Sequence, residues 1–294
     1  MTVTTSAVGE LSGRLADLPP RFHLDPAAPP DAITWEELLE PITLRFWLDR
    51  YAKSRHIDEP QIAASLFVET LARHLTGPTL AGPVLHGRLL RVPPGGLHVA
   101  PVDCVGGPGF RFAATDGDVE IAEGVDAAPG LLDGWASHWA DGHLRDLVDA
   151  VREVQQVGER LLWGNVAAAA VAATVFLDWW APDRDVRSLA EHLLTTGRPA
   201  IGEYARLTTL GHRGRMGLGA VRTTCCLALR LNGAEACPGC PMVSPQERLA
   251  RIRVHLRHLD RMQAVAARFR SHAGSRVGPA GSRSTGAHRP AGRP

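Results

Sequence analysis

Four of the chain's five cysteines, Cys225, Cys226, Cys237 and Cys240, lie within sixteen residues in the spacing C-C-x10-C-x2-C. Four thiols this close, in a compartment that keeps them reduced, make a soft-ligand metal site. The spacing bears on which metal. Structural zinc prefers two short chelating pairs of the C-x2-4-C kind, where one loop turns both sulfurs to one ion. Cys237 and Cys240 obey that rule, and Cys225 and Cys226 do not. Neighbouring residues point to opposite faces of a strand, or about 100° apart on a helix, so both cannot reach one ion from regular backbone. Two iron atoms side by side, with diverging ligands, suit a vicinal pair better. The spacing favours a [2Fe-2S] cluster and leaves zinc as the alternative.

The flanking residues suit a cluster loop. Asn232-Gly233 makes a turn between the pairs, and Cys237-Pro238-Gly239-Cys240-Pro241 is a stiff knuckle whose backbone N–H groups can face sulfur. Arg213, Arg215, Arg222 and Arg230 are near enough in sequence to offset the negative charge of a thiolate-ligated centre. A vicinal Cys225–Cys226 disulfide would leave the other pair unexplained. A Cys237/Cys240 dithiol switch would need a helix starting at its first cysteine, whereas here Pro241 follows the second. Cys104 reads as a lone thiol, and His138/His143 and His255/His258 as ordinary histidines. The glycine-rich stretch 211–219 lacks a P-loop lysine, and no G-x-G-x-x-G stands between a strand and a helix. With no nicotinamide or flavin site in view, electrons must come from a partner protein.

The elements that must hold this loop are mostly helical. Thr34 and Glu37 form a capping box that opens one helix. Helical periodicity follows through 42–55 and 61–75, where Gly77-Pro78 closes the helix. Between 84 and 123, glycine turns cut the chain into runs 97–101, 110–114 and 119–122, which predict an antiparallel meander. Helices resume from about 131 to 198. The apolar stretch 161–180 is alanine-rich and carries Asn165 and Asp178, so it reads as a buried helix; a membrane span needs ~20 strongly apolar residues. Ser244, Pro245 and Glu247 open a last amphipathic helix with Leu249, Ile252, Leu256, Leu259, Met262, Ala266 and Phe269 on its buried face. Beyond 272 the Gly/Pro/Ser/Arg composition predicts disorder.

Composition narrows the class. The 294 residues are 45% hydrophobic and 21% charged with a net charge of +1, an ordinary globular balance that excludes a dedicated nucleic-acid binder. Lys53 is the one lysine, which reads as coding bias. Residues 245–294 hold eleven arginines against two acidic residues, so they carry +9 and the rest −8. That arm reads as a solvated face and tail, with membrane contact at most peripheral. The N-terminus shows no export signal, so a cytoplasmic location is expected.

These residues resemble a family. RTTCCLALRLNGAEACPGCP is similar to the C-terminal cysteine motif of FhuF-like ferric-siderophore reductases, which share this spacing. GERLLWGNVAAA, residues 158–169, resembles that family's Leu-Trp-Gly-Asn segment, and a weaker similarity spans 60–245. The resemblance implies a cytoplasmic oxidoreductase that gives one electron to Fe(III) in an imported siderophore, often of hydroxamate type, through a [2Fe-2S] cluster on Cys225, Cys226, Cys237 and Cys240. It aligns Trp163 and Asn165 with a segment to which no role is attached, and implies a siderophore-sized cavity in the N-terminal part. Arg213, Arg222, Trp163 and Asn165 are the candidates for contacting the chelate, the arginines by guiding its anionic oxygens and Asn165 either by lining the cavity or by tying its helix to a loop instead. The rival reading is a non-catalytic siderophore-binding or assembly module whose cysteines hold a structural zinc. A bare electron shuttle fits poorly with the large body that precedes the cysteines.

The expected fold is α+β: a mostly helical body with a small antiparallel sheet, then a cysteine-rich loop and a covering helix. The expected division is a loosely packed segment at 1–33, a body at 34–215, a cluster-binding region at 216–272 and a disordered tail at 273–294.

Overall fold

The computed structural model describes residues 7–104, 107–115, 118–121 and 128–274. The fold is α+β and mostly helical. Two 22-residue helices, α4 (Pro60–Ala81) and α7 (Glu159–Trp180), lie against each other at its centre. Ala167, Ala169, Ala170 and Ala173 on α7 are buried, and their small side chains leave room for the Leu, Phe and Val of α4. In that apolar setting each buried Leu or Phe contributes about 1.5–3 kcal/mol. Among the described residues α7 is the one helix long and apolar enough to cross a membrane; 83% of that stretch is buried inside the fold.

Around this pair, the short α2 (Trp35–Leu39) and α3 (Pro41–Ser54) pack together with α3 against α4, while α1 (Ala7–Leu15) lies against the turn that follows α4. The capping box at α2 forms as the sequence predicts: Glu37 N–H donates to Thr34 Oγ1, and Thr34 N–H to Glu37 Oε2. Then α5 (Ala128–Trp135) runs through a π-helical segment, Ala136–Leu144, into α6 (Arg145–Val154). After α7 come α8 (Val186–Leu193) and the final α9 (Pro245–Gly274).

The strands form three small antiparallel sheets. In the first, β1 (Ile33–Thr34), β3 (Leu97–Cys104) and β4 (Gly107–Ala114) pair in the order β1-β3-β4, with Val99 opposite both Ile33 and Phe112. The 97–114 part of the expected meander is therefore a hairpin. The next run leaves it: β5 (Asp118–Ile121) pairs with β2 (Arg88–Arg91), Leu90 opposite Val119. The third sheet is a hairpin of β6 (Ala205–His212) and β7 (Arg215–Arg222) that the sequence reading did not expect. Its burial does not alternate cleanly along β6, and its glycines read as loop punctuation.

Two expectations change. Gly77-Pro78 does not close its helix. Pro78 lies inside α4, and the chain turns only after a π turn, Gly82–His86, at the left-handed Gly87 (φ 60°). Interior proline costs ~3 kcal/mol, which the packing of a helix whose residues from Ile62 to Ala81 are mostly buried offsets. Nor is the N-terminal segment loose. Val8, Leu11, Leu15, Leu18, Phe22 and Leu24 are buried, and Phe22 stacks on Phe176 at 4.4 Å between ring centroids. One core runs from Val8 to Leu259, so the cysteine-bearing region shares its packing with the body. The predicted disordered tail lies, apart from residues 273 and 274 at the end of α9, outside the described residues, as do the side chains of Cys104, Ala266 and Phe269.

Candidate metal centre

The unexpected hairpin delivers the cysteines. β7 packs on α7 and ends at Arg222, and the next residues are Thr223, Thr224, Cys225 and Cys226. Arg222 N–H donates to Gly239 O at 2.9 Å and Thr223 N–H to Tyr204 O at 2.9 Å. The first of these bonds draws the Cys237–Cys240 knuckle beside the vicinal pair, so the ladder itself closes the loop.

All four cysteines are free thiols. Cys226 and Cys240 are 6% and 2% exposed; Cys225 and Cys237 are half-buried. The vicinal problem is solved by Leu227, whose left-handed backbone (φ 68°) is rare for a branched residue. With that turn, Leu227 N–H donates to Cys225 Sγ at 3.3 Å and Ala228 N–H to Cys226 sulfur. Met242 N–H donates to Cys240 Sγ at 3.4 Å. The Cys226 and Cys237 thiols are hydrogen-bonded to each other. That bond, with the Arg222 charge, holds Cys226 well below the usual thiol range; the same bond, with burial, pushes Cys237 above it. Burial raises Cys225, against Leu227 N–H and Arg222.

Leu-Trp-Gly-Asn turns out to support this loop. Thr224 rests directly on Gly164: a Cβ there would lie 1.7 Å from Thr224 Oγ1 and 2.8 Å from its Cβ. Fully buried Asn165 donates from Nδ2 to Ser65 O (2.8 Å) and Ser65 Oγ (2.9 Å), and Ser65 Oγ donates to Cys226 O at 2.8 Å. Asn165 Oδ1 accepts from Arg222 Nη2. Asn165 thus ties its helix to the cysteine loop and does not line the cleft. Trp163 is core; the Arg145 guanidinium lies over its ring at 5.1 Å.

Of the arginines expected to offset charge, the structure brings one to the cysteines. The Arg222 side chain is 5% exposed; its Nε donates to Thr224 O at 3.2 Å, and Nη1 lies 3.7 Å from Glu69. Its charge reaches Cys225, Cys226 and Cys237. Arg213, 75% exposed, sits at the far tip of the β6–β7 hairpin and pairs with Asp260 at 3.4 Å. At strand rise that is roughly 20–25 Å from Arg222, so Arg213 does not join the site. Arg215 stacks on Trp179, and Arg230 pairs with Glu59.

A half-open cleft of about 250 Å³ borders the loop, lined by Glu69, Arg73, Arg222, Cys237, Ala172 and Phe176 among others. The cleft draws on both halves of the chain, from Phe22 to His255, and is not confined to the N-terminal part. A larger hollow of about 550 Å³, beside Asp49, Lys53, Ile57 and Gln155, has a mixed polar and apolar lining and is not lined by the cysteines.

Several contributors were not singled out from sequence. Ser65 interrupts an apolar run as Asn165 does, and that signal was available. Glu69 and Arg73 are an ordinary i,i+4 pair until α4 meets β7. Arg248 donates to Cys240 O (2.8 Å) and Arg251 to Ala236 O (3.0 Å), so the first turns of α9 clasp the loop from behind.

The chemistry of the donor set fits a thiolate-held centre: four soft sulfurs, N–H donors aimed at three of them, and a buried cation. Among the described residues no three His, Cys, Asp or Glu side chains converge on one point as a single metal ion requires. No protein-family model matches the chain, and no curated protein does.

Proposed function

We propose that the protein is a ferric-siderophore reductase that holds a [2Fe-2S] cluster on Cys225, Cys226, Cys237 and Cys240. The observation that carries this reading is the N–H-lined quartet of free thiols beside an open cleft to which Cys237 contributes. When bound, the cluster supplies single electrons at a potential set by its surroundings.

The chain's own residues supply the rest. Leu227, Ala228 and Met242 N–H groups and the Arg222 guanidinium offset sulfur charge. Ala168, Ala172, Ala173 and Phe176 give the cleft an apolar wall, and half-exposed Arg73 offers a cation to an oxygen-rich anion. At about 250 Å³ the cleft is below the usual 300–1,000 Å³ of an enclosing ligand site, so it takes an edge of the chelate. Ferric iron binds hard oxyanion donors tightly. After gaining one electron it is softer and less charged, and it leaves them more readily. No general base or nucleophile is needed, and the electron comes from a donor protein.

Anaerobically purified full-length protein is expected to be red-brown, to contain iron and acid-labile sulfide, and to bleach with dithionite. Adding a ferric trihydroxamate to the reduced protein should restore the colour and release Fe(II) to a ferrous-specific chelator. Colourless protein with one tightly held zinc overturns the proposal. It would favour the second reading, a zinc staple in a binding module, which the Arg248 and Arg251 clasp also suits. Cys226→Ser then costs stability alone.

A further inference from the structure

Glu69 stands between two guanidiniums. Arg73, half exposed over the cleft, pairs with Glu69 Oε1, and buried Arg222 lies 3.7 Å from the same oxygen. The carboxylate is itself 17% exposed and lines the cleft. Burial alone would raise its carboxyl, but Arg73 and Arg222 outweigh that and keep it ionised. Arg222 is fixed independently by Thr224 O and Asn165 Oδ1, so it cannot swing away to follow Glu69. Glu69 thus places a fixed negative charge behind the cation that faces the sulfurs, in a poorly hydrated interior where charges act over several ångströms.

The geometry points to Glu69 as a positioning residue that sets the electron affinity of the cysteine-held centre by opposing Arg222. This rests on the proposed cluster. Reduction adds a negative charge at the sulfurs. Arg222 favours that state and Glu69 disfavours it, while Arg73 partly masks Glu69 from the cleft side. A chelate edge in the cleft meets the same three side chains, so the group that tunes the cluster also lies where the substrate binds.

The test is the midpoint potential of the visible bands, by dithionite titration of the full-length loaded protein, with the thermal midpoint recorded alongside. Glu69→Gln keeps the shape of the side chain and should shift the potential positive at both low and high salt, because the charge removed is buried. Arg73→Gln, at a half-exposed position that tolerates change, should shift it negative at low salt, with the shift fading as salt rises. Arg222→Lys, which keeps the charge and loses the fork, should lie closer to wild type than Arg222→Gln, which should shift negative. A merely structural role lowers the thermal midpoint and leaves the potential where it was. That result in Glu69→Gln and Arg73→Gln, with wild-type iron and sulfide content, overturns the inference while the reductase reading stands. Wild-type protein without iron and sulfide overturns both.

Discussion

Gly164 and Asn165 show how two adjacent residues of one buried helix shape a loop sixty residues away. Gly164 gives Thr224 the space to lie on α7, and Asn165 supplies the hydrogen bonds that hold Ser65, Arg222 and, through Ser65, Cys226. The clash is with the Thr224 side chain, and its Cβ, 2.8 Å away, does not move when the rotamer changes, so a rotamer change at Thr224 alone cannot relieve it. Gly164→Ala is expected to lower stability by about 1–3 kcal/mol, the usual range for overpacking, and to lower iron content more than stability alone explains. Ala173→Gly, on the same helix, should weaken the fold and spare the cysteine loop. Denaturant unfolding with iron and sulfide analysis checks both.

Among the elements, the π-helical segment Ala136–Leu144 seals a strand edge. Trp139 Nε1 donates to Leu90 O at 2.9 Å, and His138 Nε2 accepts from Val92 N–H at 2.9 Å, covering the side of β2 that β5 does not pair. Exposed edges are aggregation-prone, and this one is closed by side chains. Burial, with help from neighbouring His143 and Arg91, lowers the His138 pKa from 6.5 to about 4. The unfolded chain therefore takes up a proton below about pH 6.5 that the folded chain refuses until about pH 4. Stability should fall across that window as pH drops. His138→Gln, whose amide oxygen can still accept from Val92, should flatten the decline in thermal midpoint between pH 7 and 4.5. An unchanged slope would remove His138 as its source.

At the scale of the whole molecule, the cysteine loop is not a detachable module. Leu218, Cys226, Ile252, Leu256 and Leu259 belong to the same core as Val8 and Leu11, and the loop is held from α4, α7 and α9 at once. Any group that binds the folded quartet alone stabilises the fold by mass action. If the quartet holds a metal as proposed, its removal with a chelator should therefore lower the single global thermal midpoint, rather than melt a small C-terminal unit first. Calorimetry of loaded and stripped protein reads this directly. Two separated transitions would contradict the shared core.

The amino-acid order alone determined what is local or chemical: the thiol quartet, the capping box at Thr34 and the Ser244 N-cap, the helices about α4 and α7, and the burial of α7 despite its length. These follow from short-range hydrogen bonding and periodicity, which act within a few residues. The sequence also marked Asn165 as a polar interruption of an apolar run; Ser65 carries the same signal without being singled out, and nothing local says that the two meet. Only the tertiary structure decided that they meet, that Pro78 continues its helix, that Arg222 faces the sulfurs while Arg213 points away, and that the vicinal pair turns at Leu227. Each depends on contacts between segments as much as 161 residues apart, as from Ser65 to Cys226. The packing of a shared interior selects such contacts, and no window of neighbouring residues encodes them.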